Sequence, residues 1–210
     1  MSSKDTYSKI LKSSVRLFAE HGYDRVTIKH ICEDANVSLS AVHYHFNSKE
    51  ELYSKIINSL DFSRMETAQK FLTMNFSSVD DMQERLHFFA KELSDIVISS
   101  QCILQIIFDD ISKNINDSLK IFTEKITPVR NSIVGFLETA IKQKLVREDI
   151  DPVMVSDLIV YHICNEMQWS IFKKVAPVTT SDLERQRLEW TSRLISLIIH
   201  GAKESYSRPD

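Results

Sequence analysis

The chain has 210 residues and a mass of 24.3 kDa, with 43 % hydrophobic and 26 % charged residues. This is ordinary soluble globular composition, enough for one large domain or two small ones, and it excludes disorder as the main state. No apolar run reaches the ~18 residues a membrane span needs, and Met1-Ser2-Ser3-Lys4-Asp5 is not a secretory signal, so the sequence predicts a cytoplasmic protein without a membrane partner. The only glycines are Gly22, Gly135 and Gly201, which cannot build a dinucleotide turn or a phosphate loop. Cys32, Cys102 and Cys164 are odd in number and far apart, which suits buried thiols in a reducing compartment. Net charge is −3, but residues 1–60 hold eight Lys or Arg against seven Asp or Glu, and four of the seven histidines lie in the first 45 residues. The N-terminal segment is the relatively basic end of an acidic chain, and a local basic face is what DNA requires.

Apolar residues at helical spacing run from Ile10 to Phe18, and Gly22 ends that helix. Thr27 caps a short second helix carrying Ile28 and Ile31. Asn36, tolerant of the left-handed conformation, makes a tight turn, and Ser38 caps a third short helix through about Tyr44. Ser48 and Glu51 form an S-x-x-E capping box before a longer helix. Ser78-x-x-Asp81 opens a helix with Met82, Leu86, Phe89, Leu93 and Val97, and Ile103 to Phe108 form a short apolar one. A long helix is predicted from about Asn116 to Leu145, with Pro128 as a kink or break. Asp151-Pro152 starts another sharply, running to about Val175. Pro177 ends it, and Ser181-x-x-Glu184 caps the last. The prediction is all-α, about nine helices without strands: residues 1–50 as one domain, 51–210 as a second, with the helix from Ser48 bridging them.

The chemistry lies in Thr27 to Lys49. Two short helices joined by a three-residue turn, with Ile28, Ile31, Ala35, Val37, Val42 and Phe46 facing inward, form a helix-turn-helix pattern. A helix entering the major groove must present short or hydrogen-bonding side chains. Ser38, Leu39, Ser40, Ala41, His43 and Tyr44 are its outward positions; Ser and His bond base edges and Ala meets a thymine methyl. Thr27, Tyr44, His45 and Lys49 are placed to reach phosphates. A small helical subdomain that reads nothing is the bland alternative, and it leaves this polar surface unexplained. His43 and His45 at i, i+2 point apart, so they do not make a metal pair.

The stretch F-A-E-H-G-Y-D-R-V-T-I-K-H-I, with A-N-V-S, A-V-H-Y-H-F and N-S-K-E-E-L-Y, resembles the TetR/AcrR family of bacterial transcriptional regulators over about residues 5–60. The resemblance assigns Thr27, Tyr44, His45 and Lys49 to phosphate, and Leu39, Ser40, Ala41 and His43 to bases. Asn36 and Ser40 stand where glycine is common and His43 where tyrosine is; the last two lie on the reading surface and bear on which sequence is read.

The resemblance further implies a homodimer and a small-molecule effector; two dyad-related helices read a palindromic operator, and the residues predict no other cofactor and no metal. A final helix apolar at Leu188, Thr191, Leu194, Ile195, Leu197, Ile198 and Ile199 is wider than one stripe. Paired across a two-fold with Val155, Leu158, Ile159, Ile163 and Trp169, it gives a four-helix interface through the last two helices; intramolecular packing is the alternative. Candidate effector contacts are Phe88, Gln105, Phe108, Asp109, Phe136, Tyr161, His162, Asn165, Glu166 and Trp169. Of these, His162, Asn165 and Glu166 share one helix face. The function implied is a ligand-responsive repressor. The alternatives are an activator or nucleoid-organising protein without a switch. An enzyme is disfavoured, since no phosphate loop, metal cluster or activated nucleophile is evident.

Overall fold

A computed structural model describes residues 3–112 and 116–172, together with isolated positions between 189 and 197. The described residues form helices in this order: α1 Ser3–His21, α2 Ile28–Ala35, α3 Leu39–His45, α4 Lys49–Asn58, α5 Ser63–Thr73, α6 Val79–Ser99, α7 Gln101–Ser112, α8 Asn116–Ile121, a π turn Phe122–Ile126, α9 Thr127–Lys142 and α10 Pro152–Phe172. They divide into two compact units, Met1–Asp61 with Ser100–Glu124 and Phe62–Ser99 with Lys125–Asp210.

The helix starts follow from side-chain oxygens that accept orphan backbone N–H groups. Thr27, Ser38 and Ser48 accept from the amides of His30, Ala41 and Glu51. Ser78 accepts from Asp81, and Asp151 from Val153 and Met154. Two details differ from the sequence reading. The Glu51 carboxylate returns to Asn47, accepting from its backbone N–H and its side-chain amide, so the box at Ser48 closes one residue early. The Thr27 box closes instead through a histidine: His30 Nδ1 accepts from the Thr27 backbone N–H at 3.3 Å.

The long helix predicted over 116–145 is three pieces. The ladder widens into the π turn, and Pro128 falls in the first turn of α9, directly after it. α9 stops at Lys142 because Lys144 takes a left-handed conformation (φ 59°). The Leu145 and Lys144 amides then close back on the Ala140 and Ile141 carbonyls, a C-terminal cap built without glycine.

In the first unit α1 packs against α2, α3, α4 and α7, over a core of Ile10, Phe18, Ile31, Val42, Phe46 and Leu52. Cross-links reinforce it. Ser13 Oγ donates to Asp34 at 2.5 Å, Arg16 pairs with the same carboxylate, and Gln105 Nε2 donates to the Ala19 carbonyl. In the second unit α5 packs on α6 and α9, and α10 on α9 and α6. Arg130 pairs with Asp157 there, and Ser156 Oγ donates to the Arg130 carbonyl.

This packing corrects the interface face proposed for α10. Val155, Ile159 and Ile163 are buried within the unit, whereas Val153, Met154, Leu158 and Tyr161 are exposed. α10 turns one apolar stripe inward and leaves a second outward, so of the residues predicted on α10 whose side chains are described, Leu158 alone faces out. The Trp169 side chain and most of the predicted last helix lie outside the described residues; Leu197 is described and exposed.

Candidate nucleic-acid interface

The first unit presents α3 on a rigid base. Asn36 ends α2 in the left-handed region (φ 51°, ψ 53°), its N–H meeting the Cys32 and Glu33 carbonyls. Three residues thereby separate the helices, and Ala35, buried at their crossing, lets them approach. Val42 and Phe46 anchor α3 in the core, while Ile28 and Val37, expected inside, are half-buried at the rim.

Anchoring one side of a seven-residue helix exposes the other. Ser38, Leu39, Ser40, His43 and Tyr44 are exposed, with Tyr44 at 80 % and Leu39 at 55 %. Ala41, placed outward by the sequence reading, is half-buried. No acidic residue lies on α3. Thr27 is exposed at the start of α2, though its hydroxyl is engaged by the His30 amide. His45 is half-buried, its ring 5.7 Å from Tyr7 and 5.0 Å from Tyr44.

Lys49 opens α4, and its Nζ lies 3.9 Å above the Tyr23 ring centre. The two following carboxylates are already occupied. Glu50 accepts from the Tyr23 hydroxyl at 3.1 Å; its own backbone N–H, the Ser48 hydroxyl and Tyr23 hold its carboxyl below the usual range. Glu51 is held low by Lys55 and Asn47. Burial, and then Glu50, pushes the Tyr23 phenol up to about 12, so it stays a donor at neutral pH. Lys49 is therefore the charge the α4 N-terminus offers to an anion. Tyr23, Tyr7 and His30 went unassigned in the sequence reading. The one sequence signal for His30 is its place three residues after the Thr27 cap, where a capping box has Glu or Gln.

The predicted effector residues are scattered. Gln105 and Asp109 line a cavity of about 270 Å³ in the first unit with Ala19 to Gly22, Asp24 and Arg25. Phe108 is half-buried on the same helix. In the second unit Phe136 is a core residue, its ring 4.9 Å from that of Phe76 in the segment between α5 and α6. Phe88 and Tyr161 are exposed, Phe88 edge-on to Phe71. His162 is half-buried, and burial lowers its pKa. The side chains of Asn165 and Glu166, like that of Trp169, lie outside the described residues.

Residues 10–56 match the family described as bacterial regulatory proteins, tetR family. This N-terminal segment is similar to the DNA-binding region of the tetR family. Over 51 residues it is 35 % identical to the biofilm operon icaADBC negative transcriptional regulator IcaR of Staphylococcus epidermidis, a stretch covering 24 % of this chain and 28 % of that one. Against IcaR of Staphylococcus aureus strain Newman the identity is 22 % over 151 residues, 70 % of this chain and 77 % of the relative. The fold is similar to that of the ketosteroid transcriptional regulator KstR2 of Mycobacterium tuberculosis, with a TM-score of 0.71 over 95 % of each chain at 16 % identity. The TetR-family match spans α2, the turn, α3 and Lys49. No described helix is long and apolar enough to cross a membrane.

Proposed function

We propose that this regulator is a repressor that binds a palindromic operator as a homodimer and is released by a small-molecule effector. The observation that carries the reading is the α3 surface. Short polar side chains stand exposed, with Tyr44 and Lys49 at the margins for phosphate. One seven-residue helix makes too few base contacts for specificity; two related by a dyad read half-sites roughly 34 Å apart. The outward stripe of α10 (Val153, Met154, Leu158, Tyr161) supports self-association, since contiguous exposed apolar surface favours a partner. The sign of regulation follows the staphylococcal relatives, which are negative regulators.

The effector belongs to the second unit in this reading. Ser94 of α6 is 1 % exposed and its Oγ has no hydrogen-bond partner among the described residues. An unmet buried hydroxyl is costly, and a largely apolar ligand carrying one hydrogen-bonding group would satisfy it. Ligand binding then favours a state in which α4 shifts and the two α3 helices lose their half-site spacing. Selection from a random duplex pool with purified protein tests the DNA reading: an enriched palindrome with half-sites one helical turn apart supports it. No enrichment, even after unfolding and refolding without ligand, removes it. A tight ligand that leaves operator affinity unchanged removes the effector mechanism.

A further inference from the structure

A directed polar chain runs through the interior of the first unit. Asp110 of α7 is 2 % exposed and accepts from Ser118 Oγ of α8 at 3.0 Å. A serine hydroxyl has one proton. With that proton on Asp110, the 3.3 Å contact between Ser118 Oγ and Tyr53 Oη has a single sense, in which Tyr53 donates. The chain thus passes from α4 to α8 to α7, and its middle member is fully buried. Buried polar groups that satisfy one another hold one geometry, because any other leaves a group unpaired.

The other end of Tyr53 is its ring. It stands 4.7 Å from the Tyr23 ring at 63° and 5.9 Å from Phe18 at 72°. Tyr23 in turn supports the Lys49 ammonium and donates to Glu50. The contact path Asp110–Ser118–Tyr53–Tyr23–Lys49 is unbroken. α4 takes its N-cap from Ser48, so it does not need this path to form.

We infer that Ser118 and Asp110 are positioning residues for DNA binding: they fix the Tyr53 ring, which fixes Tyr23, whose face holds Lys49 at the start of α4. This rests on the reading of Lys49 as a phosphate contact. It gives residues 100–124 a part in the DNA-binding machinery, and the Gln105–Ala19 hydrogen bond seats the same segment on α1.

The test is the salt dependence of binding of the full chain to a mixed-sequence duplex. Lys49→Ala lowers the log–log slope by about one per bound subunit. Ser118→Ala, and the milder Tyr53→Phe, should lower it by the same amount, and Ser118→Ala combined with Lys49→Ala should fall no further than Lys49→Ala alone. A change that only destabilises the fold reduces active protein at every salt concentration and leaves the slope intact. A full slope in both Ser118→Ala and Tyr53→Phe, or additive losses in the double variant, overturns the inference. A second readout needs no DNA. The Tyr23 ring current displaces the Lys49 Cε protons upfield in NMR spectra, and Tyr23→Leu is the control that abolishes it. Ser118→Ala should diminish that displacement; its retention overturns the inference. If Lys49→Ala itself leaves the slope unchanged, the phosphate reading falls, and the proton shift alone decides whether Ser118 positions Lys49.

Discussion

Ser38 Oγ lies 2.9 Å from Ser40 Oγ across the first turn of α3. Ser38 also accepts the Ala41 amide at 3.1 Å, so its hydroxyl is committed to the helix start, whereas Ser40 remains exposed on the surface proposed to read bases. The two serines should separate by substitution. Ser38→Ala should cost about 1 kcal/mol of stability and weaken binding to every duplex alike. Ser40→Ala should stay within about 0.5 kcal/mol of the parent and change the preferred sequence. Denaturant melts and a repeated selection measure both. An altered preference in Ser38→Ala with stability intact would make Ser38 a base reader.

His43 and Tyr44 divide in the same way. His43 is exposed on the surface predicted to meet bases, and Tyr44 is exposed with its ring 5.0 Å from that of His45. His43→Ala should shift the selected sequence. Tyr44→Phe should lower affinity uniformly, since a phosphate contact carries no base information. Uniform loss without a shift in His43→Ala would remove His43 from the base contacts.

The turn before α3 stores a known kind of strain. Asn36 has φ 51°, which a β-carbon disfavours by about 1–2 kcal/mol and which Asn tolerates better than other non-glycine residues. Asn36→Ala should destabilise the chain by about 1 kcal/mol, and Asn36→Gly should match or exceed the parent. A stability loss in Asn36→Gly as large as in Asn36→Ala would mean that the side chain, not the backbone, holds the turn.

These positions were legible because the physics behind them is local. Caps at Thr27, Ser38, Ser48, Ser78 and Asp151 need only a polar side chain before an apolar period, and a turn at Asn36 needs only tolerance of positive φ. Lys144 also takes positive φ, yet nothing in K-Q-K-L signals it, because the cap there is set by the Leu145 amide reaching Ala140. Long-range pairings were illegible for the same reason. Ser118 meets Tyr53 across 65 positions, and sequence spacing carries no record of that. The outward stripe of α10 misled for a third reason: with apolar residues on both sides, periodicity does not say which side its own unit covers. The effector residues were the least readable, since aromatic and polar residues in apolar helices serve a core as well as a cavity.

The α1–α2 clamp should respond to pH. The Ser13 hydroxyl, followed by Arg16, holds the Asp34 carboxyl below its ordinary value. The unfolded chain therefore takes up that proton first. The stabilisation is complete above the unfolded value of about 3.9 and fades as pH falls through the lower folded value. At neutral pH Asp34→Asn should be less stable than the parent, and the gap should close in acid. Glu50, Glu51, Asp81, Asp149 and Asp157 are shifted the same way, so the parent loses stability in acid regardless, and only the difference between the two proteins reports Asp34. Urea midpoints across the acid range measure it. A gap independent of pH would mean that the neutral hydrogen bond from Ser13, not the charge, holds the clamp.

Arg85 makes the corresponding joint in the second unit, and by a different device. It is 9 % exposed, and all five of its N–H groups are used. Nε and one Nη2 proton meet Asp81, and the others reach the carbonyls of Phe71, Met74 and Asn75. Those carbonyls close the C-terminal end of α5, where the backbone has acceptors without partners and a partial negative charge. The guanidinium thus does what a left-handed glycine does elsewhere, while its Cζ lies 5.1 Å from the centre of the Phe71 ring. Arg85→Ala leaves three carbonyls short of a donor and should lower stability by about 2–3 kcal/mol. Arg85→Lys should recover only part, because an ammonium has three donors and no planar fork. The salt slope of DNA binding should not move in either variant, since α5 and α6 lie in the other unit. Denaturant midpoints with the slope measured alongside check both; full recovery in Arg85→Lys would mean that charge alone, without the fork, closes the helix.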